Sequence, residues 1–198
     1  MITYEILNND PFIALIHGLI PDDTIDNMLN ETEFVLSTGY DHGTADSRLV
    51  KHRTSSTCYV QHRYYDLTKL TLSYIQKEFG HSYHPDQAEQ WQLTRYRPGE
   101  FFKPHWDYFN LPGYENLRNP DRTATVILYL NDDFQGGTTN FNRLNIDVTP
   151  RRGSCLYFAY PDDPGADLTM HEGVSVTTGI KTIATLWISD PIPKLQIP

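Results

Sequence analysis

The feature that most limits what this chain can fold into is the succession of short β-branched and aromatic runs that follows Gly80. Residues 91–96, 123–130, 154–159 and 182–189 are of strand length, rich in Val, Ile, Thr, Leu, Tyr, Phe and Trp, and bounded by Gly, Pro, Asn or Asp. Several more short strands fit between them. So many strands must hide their edges, and a closed or two-sheet architecture of the jelly-roll kind does so. The chain before Gly80 reads differently. Residues 2–7 and 12–17 are short strands split by the turn-forming Asn8-Asn9-Asp10-Pro11. A helix begins at Pro21-Asp22-Asp23, sets Ile25, Met28 and Leu29 at helical spacing, and ends before Phe34. A second spans 65–79, with Leu67, Leu70, Leu72, Ile75 and Phe79 at roughly helical intervals and Gly80 as its C-terminal cap; it should pack on a sheet. Residues 36–56 show no sustained period, which suits either a loop closing over a site or an unstructured surface segment.

The expected fold class is therefore mostly β (α+β), a β core with supporting N-terminal helices. With 198 residues and no repeat or linker, the chain reads as one domain, supporting elements over 1–88 and a β core over 89–190. A formal charge of −9 and a pI near 5.2 argue against a nucleic-acid partner, because binding a phosphate backbone requires clustered Lys and Arg. Cys58 and Cys155 lie far apart without a C-x-x-C spacing, as expected of two buried thiols. The first ten residues lack the basic and apolar regions of a signal peptide, and no stretch has the apolar length to cross a bilayer. A cytoplasmic protein without a membrane partner is the expectation. Oligomeric state is left open.

Chemistry concentrates in Arg95-Tyr96-Arg97-Pro98-Gly99-Glu100-Phe101-Phe102-Lys103-Pro104-His105-Trp106-Asp107. On an extended strand residues two apart share a face, so His105 and Asp107 can present an imidazole and a carboxylate to one point. The flanking Phe101, Phe102, Trp106, Tyr108 and Phe109 suggest that the pair sits inside a cavity. By itself His-x-Asp also describes a core histidine hydrogen-bonded to an aspartate. A second copy, His84-Pro85-Asp86, lies in a polar, proline-containing connector and reads as a loop. A metal needs a third ligand from elsewhere, and His171 is the best candidate. Two histidines and one carboxylate on one side of a metal leave the other side open, the arrangement of non-haem Fe(II) oxygenases.

Further spacings support this. Tyr96 opens Tyr-Arg-Pro-Gly nine residues before His105; Arg122-Thr-Ala-Thr-Val-Ile-Leu-Tyr-Leu-Asn131, Gly136-Gly137-Thr138-Thr139-Asn140-Phe141 and Val148-Thr-Pro-Arg-Arg-Gly153 follow in order. Lys181 comes ten positions after His171, and Trp187 six after Lys181. In order, spacing and residue type, the segment from about Glu89 to Trp187 resembles the iron(II)- and 2-oxoglutarate-dependent dioxygenases, most closely their prolyl 4-hydroxylase branch. The resemblance implies a double-stranded β-helix (jelly-roll or cupin-like) with His105, Asp107 and His171 as iron ligands. It also implies Lys181 as partner of the far carboxylate of 2-oxoglutarate, with Tyr129 donating a second hydrogen bond to it. Tyr96 and Trp187 are either contacts of cosubstrate or substrate, or core aromatics. Thr138 stands where the family usually has glutamate, and Arg53-Thr54-Ser55 resembles the Arg-Thr-Ser that precedes a helix in prolyl hydroxylases.

The implied reaction couples O2-dependent decarboxylation of 2-oxoglutarate to succinate and CO2 with hydroxylation of a substrate, ascorbate being a candidate reductant. A Pro-containing peptide or protein suits an aromatic-lined groove, because a polyproline segment is already stiff. Alternatives are the same chemistry on a small molecule or a non-proline side chain, and a non-catalytic metal-binding β-barrel. Asp107 argues against a halogenase-type site, where the carboxylate is absent, and Lys181 against a metal site without turnover.

Overall fold

The computed structural model describes residues 1–37, 53–107, 122–160 and 168–189. Its strands are β1 Thr3–Asn9, β2 Phe12–His17, β3 Val35–Leu36, β4 Ser56–Tyr59, β5 Gln92–Tyr96, β6 Phe102–His105 and β7 Arg122–Tyr129. They continue with β8 Gln135–Gly136, β9 Thr139–Phe141, β10 Ile146–Val148, β11 Cys155–Ala159, β12 His171–Gly173, β13 Val176–Thr178 and β14 Lys181–Ser189. Among the described residues two helices, α1 Asp22–Leu29 and α2 Tyr65–Phe79, fall where periodicity and capping predict them, and Gly80 closes α2 at φ 78°. The turn at Pro85–Gln87 is a single 3-10 turn capped by His84, so the second His-x-Asp is an exposed connector, as read from its proline.

The main sheet runs β1-β2-β11-β7-β14-β5-β4-β3, and a smaller one runs β10-β9-β12-β6. β14 lies between β7 and β5 and is buried along its whole length, its polar Lys181, Thr182, Thr185 and Ser189 included. Its residues still sort by period two. Ala184, Leu186 and Ile188 join Val126 and Leu128 of β7 in a cluster with Ile25, Met28, Leu67, Leu72 and Ile75 of the helices. Ile183 points the other way, with Ile127 and Tyr129 of β7, toward Phe141 and Val148 of the small sheet. Cys58 and Cys155 are free and buried.

The aperiodic stretch at 36–56 begins and ends in order. Leu36 pairs with Ser56 between β3 and β4, and Ser37 hydrogen-bonds Ser55 and Thr57 behind them; residues 38–52 lie outside the described residues. Among the described residues no helix is long and apolar enough to cross a membrane.

Candidate metal and cosubstrate centre

The two histidines face each other because of strand register. β12 pairs antiparallel with β6, and His171 lies directly opposite His105, so both imidazoles leave the same face of the small sheet, ring centroids 4.4 Å apart. Asp107 lies two residues beyond the end of β6 and turns inward, while Trp106 between the two turns out. Nε2 of His105 is 3.4 Å from Asp107 Oδ1, and Nε2 of His171 is 3.7 Å from Asp107 Oδ2. One ligand atom from each residue lies within 4.8 Å of the others, the only such cluster among the described residues.

Each imidazole is oriented from behind. His105 Nδ1 lies 2.8 Å from the Lys103 carbonyl and His171 Nδ1 lies 3.0 Å from that of Thr169. A carbonyl only accepts, so Nδ1 carries the proton in both rings and the Nε2 lone pairs point at the shared centre. Burial alone would push the Asp107 carboxyl up, but positive charge on His171 and His105 when those rings are protonated, with that on Arg122, outweighs burial and holds the group well below the ordinary carboxylate range. Arg122 also donates from a terminal nitrogen to the Asp107 carbonyl at 2.8 Å, forks onto Glu89 at 2.6 and 3.0 Å, and stacks 3.9 Å from the Trp187 ring. The residue carrying the carboxylate is thus held at backbone and side chain.

Lys181 opens β14 on the opposite wall, 2% exposed and in register with Tyr96. Its ammonium donates to the Gly137 carbonyl at 2.6 Å and sits 5.5 and 5.8 Å from the Tyr96 and Tyr129 rings. Among the described residues no acidic side chain pairs with it, and burial pushes its pKa down to about 7. The backbone must come close for this. Gly137 is at φ 65°, and a Cβ there would meet the Lys181 chain at 3.1 Å. Gly179, at φ 76°, makes the turn from β13 into β14, and a Cβ on it would lie 2.7 Å from the Asp133 carbonyl. These positions explain the Gly-Gly-Thr-Thr and Thr-Thr-Gly stretches.

The cavity between these walls is lined by His105, Asp107, His171 and Lys181, and also by Tyr96, Trp187, Thr139, Thr185, Arg53 and Gln92. Tyr96 and Trp187 thus line it while belonging to the buried interior. Tyr129 stands near the same ammonium. Its hydroxyl donates to Thr139 Oγ1 at 2.8 Å, and burial pushes its pKa up so that it stays a donor. Thr139, having accepted that proton, can turn its own toward the cavity. Arg53 bonds Gln92 and Thr94 at 2.9 and 2.8 Å and covers the Phe102 ring at 4.9 Å. Trp106 departs from the sequence expectation: it is 40% exposed under Arg143, because alternation past His105 turns it outward. Tyr108 and Phe109 lie outside the described residues.

Spacing alone did not single out Thr125, Thr139, Thr185, Glu89 or the part played by Arg122. The signal was period two: once Tyr129 and Trp187 face inward, so must Thr125, Ile127, Ile183 and Thr185.

Two imidazole nitrogens and a carboxylate, on one wall of a sheet sandwich with a buried cation opposite, make a donor set that could hold a non-haem metal on a double-stranded β-helix. The comparisons agree. Residues 91–189 match the family model of the 2OG-Fe(II) oxygenase superfamily, and the chain belongs to that superfamily. It is similar to human prolyl 4-hydroxylase subunit alpha-3, 26% identical over 191 residues that cover 94% of this chain and 35% of that subunit. Arabidopsis thaliana prolyl 4-hydroxylase 1 is 28% identical over 205 residues, covering 93% of this chain and 71% of the relative. The chain thus spans about a third of the human subunit. Among solved structures it resembles a viral collagen prolyl hydroxylase from Paramecium bursaria Chlorella virus-1 in its 2OG complex, with a TM-score of 0.65 and 25% identity, covering 93% of this chain and 94% of that one.

Proposed function

We propose that this protein is an Fe(II)- and 2-oxoglutarate-dependent dioxygenase that hydroxylates prolyl residues of a Pro-containing peptide or protein. His105, Asp107 and His171 would hold the iron, and Lys181, with the hydroxyl of Thr139, the distal carboxylate of the cosubstrate. The donor set suits the metal: two neutral imidazoles with Nε2 free and one ionised carboxylate, all from one side. When loaded, such a site supplies the coupling of O2 and 2-oxoglutarate, leaving as succinate and CO2, to insertion of oxygen into a substrate C–H bond.

The single observation that carries the reading is Lys181. A buried ammonium without an acidic partner among the described residues is costly, and a bound carboxylate removes that cost. The remaining residues position and exclude water. Tyr96, Ile127, Ile183 and Trp187 wall the cavity with apolar surface, and Arg122 and Glu89 hold the segment that carries Asp107.

Proline as the target is supported by the relatives' own description as prolyl hydroxylases. Residues 1–88 act as support, α1 and α2 bracing the sheet from which 89–190 build the site. Ascorbate would serve as reductant. Succinate formation should require Fe(II) and rise with a Pro-rich peptide, hydroxyproline appearing in the peptide by mass spectrometry. Stimulation by a free metabolite and not by any such peptide overturns the proline reading; no succinate under any condition overturns the dioxygenase reading.

A further inference from the structure

A chain of two hydroxyls ends on Asp107. Thr125 Oγ1 lies 3.0 Å from Asp107 Oδ2, and the Tyr160 hydroxyl lies 2.5 Å from Thr125 Oγ1. Proton counting fixes its direction. An ionised carboxylate only accepts, so the single Thr125 proton goes to Oδ2, and the Thr125 oxygen then accepts the proton of Tyr160. The order is therefore Tyr160 to Thr125 to Asp107.

The two carboxylate oxygens are left unequal. Oδ2, 3.7 Å from His171 Nε2, has one lone pair committed to Thr125, whereas Oδ1 faces His105 Nε2 at 3.4 Å with no hydroxyl on it among the described residues. Thr125 is fully buried in the middle of β7, so its rotamer is fixed by packing. Tyr160 is placed by its backbone bond to the Thr123 carbonyl at 2.9 Å and by the Phe158 ring, edge-on at 5.8 Å, which itself contacts His171 at 5.0 Å.

We propose that Thr125 and Tyr160 are positioning residues for the metal: the relay pins the Asp107 carboxylate so that Oδ1 is the ligating oxygen and Oδ2 is withheld, keeping Asp107 a one-oxygen ligand. This rests on the three-ligand reading given under Proposed function. A polarised hydroxyl chain holds a carboxylate more firmly than one hydroxyl does, and loss of an outer partner of a metal ligand typically lowers affinity about 10–100-fold.

The test is Co(II) titration of the full chain without cosubstrate, following the metal's visible absorption for affinity and coordination number. Thr125→Val keeps shape and removes the hydroxyl; its dissociation constant should rise about 10–100-fold, with the Co(II) band changed as the second oxygen becomes available. Thr125→Ser should restore near-wild-type binding, and Tyr160→Phe should weaken it by less than Thr125→Val. Tyr160 acts only through Thr125, so the Thr125→Val/Tyr160→Phe double variant should bind no more weakly than Thr125→Val alone. Wild-type affinity and spectrum in Thr125→Val, or additive losses in the double variant, overturn the relay. If Thr125→Val does not fold, Tyr160→Phe with wild-type affinity and spectrum overturns it as well. Asp107→Ala separates the two readings: if it loses Co(II) while Thr125→Val binds normally, only the relay fails. If Asp107→Ala binds as wild type does, the three-ligand site fails.

Discussion

The two faces of the main sheet are made from the same strands and do opposite jobs. Toward the helices, β7 and β14 present Val126, Leu128, Ala184, Leu186 and Ile188, an apolar surface closed by α1 and α2. Toward the small sheet the intervening residues of the same strands include Thr125, Tyr129, Thr185, Trp187 and Lys181, which line the candidate site or bond to what lines it. Burial is nearly complete on both sides, so burial does not separate structure from chemistry here. What separates them is polarity at alternate positions. The helix side gains from every methylene it buries, whereas the site side tolerates polar groups only because each has a partner or awaits one.

Substitutions should split along this divide. The largest effect is expected from Asp107→Ala, which should abolish metal binding in a titration while the fold persists by circular dichroism; retained binding breaks the assignment. Leu186→Ala, next to Trp187 but facing the helices, should cost about 2–5 kcal/mol in denaturant unfolding and leave metal and cosubstrate affinities of the folded fraction unchanged. Were cosubstrate affinity to fall too, the two faces would not be independent. Lys181→Ala should weaken 2-oxoglutarate about 10–100-fold, the worth of a charge-assisted hydrogen bond, with metal affinity intact. A parallel loss of both would contradict the separate roles.

A smaller effect follows from pH. Burial lowers the Lys181 pKa to about 7, and only the protonated amine pairs with a carboxylate. Cosubstrate affinity should therefore fall above pH 7, by up to about tenfold per pH unit, as calorimetry at several pH values would measure. Stability of the ligand-free protein moves the opposite way. Between about 7 and 10.5 the unfolded chain holds a proton on Lys181 that the folded one has shed, so stability should rise with pH across that window, and Lys181→Met should flatten the rise. The smallest effect is expected from Trp106→Ala, outward-facing beside His105, which should leave metal affinity within about twofold, short of the loss of even one hydrogen bond.

Much of this was legible in the sequence, for identifiable reasons. β14 and α2 carried long patterns with marked ends, Gly179 and Gly80, and appear within a residue of expectation. His105, Asp107 and His171 were legible as a set through spacing, and the register of β6 with β12 brings them together. The supporting groups were not. Thr125, Glu89 and Tyr160 are single polar residues in otherwise ordinary runs, and their meaning depends on which strands become neighbours, a long-range fact that no local window contains. Trp106 shows the converse error, since its aromatic neighbours suggested a cavity while strict alternation turned it to solvent.

The direct opposition of His105 and His171 across β6 and β12 makes the pair insensitive to what the chain does between them. Lengthening the connections between the intervening strands leaves the imidazoles aligned as long as those two short strands keep their pairing. A lineage built this way is free to change what it admits to the centre without rebuilding the centre itself, and a one-residue slip in that pairing would undo it at a stroke.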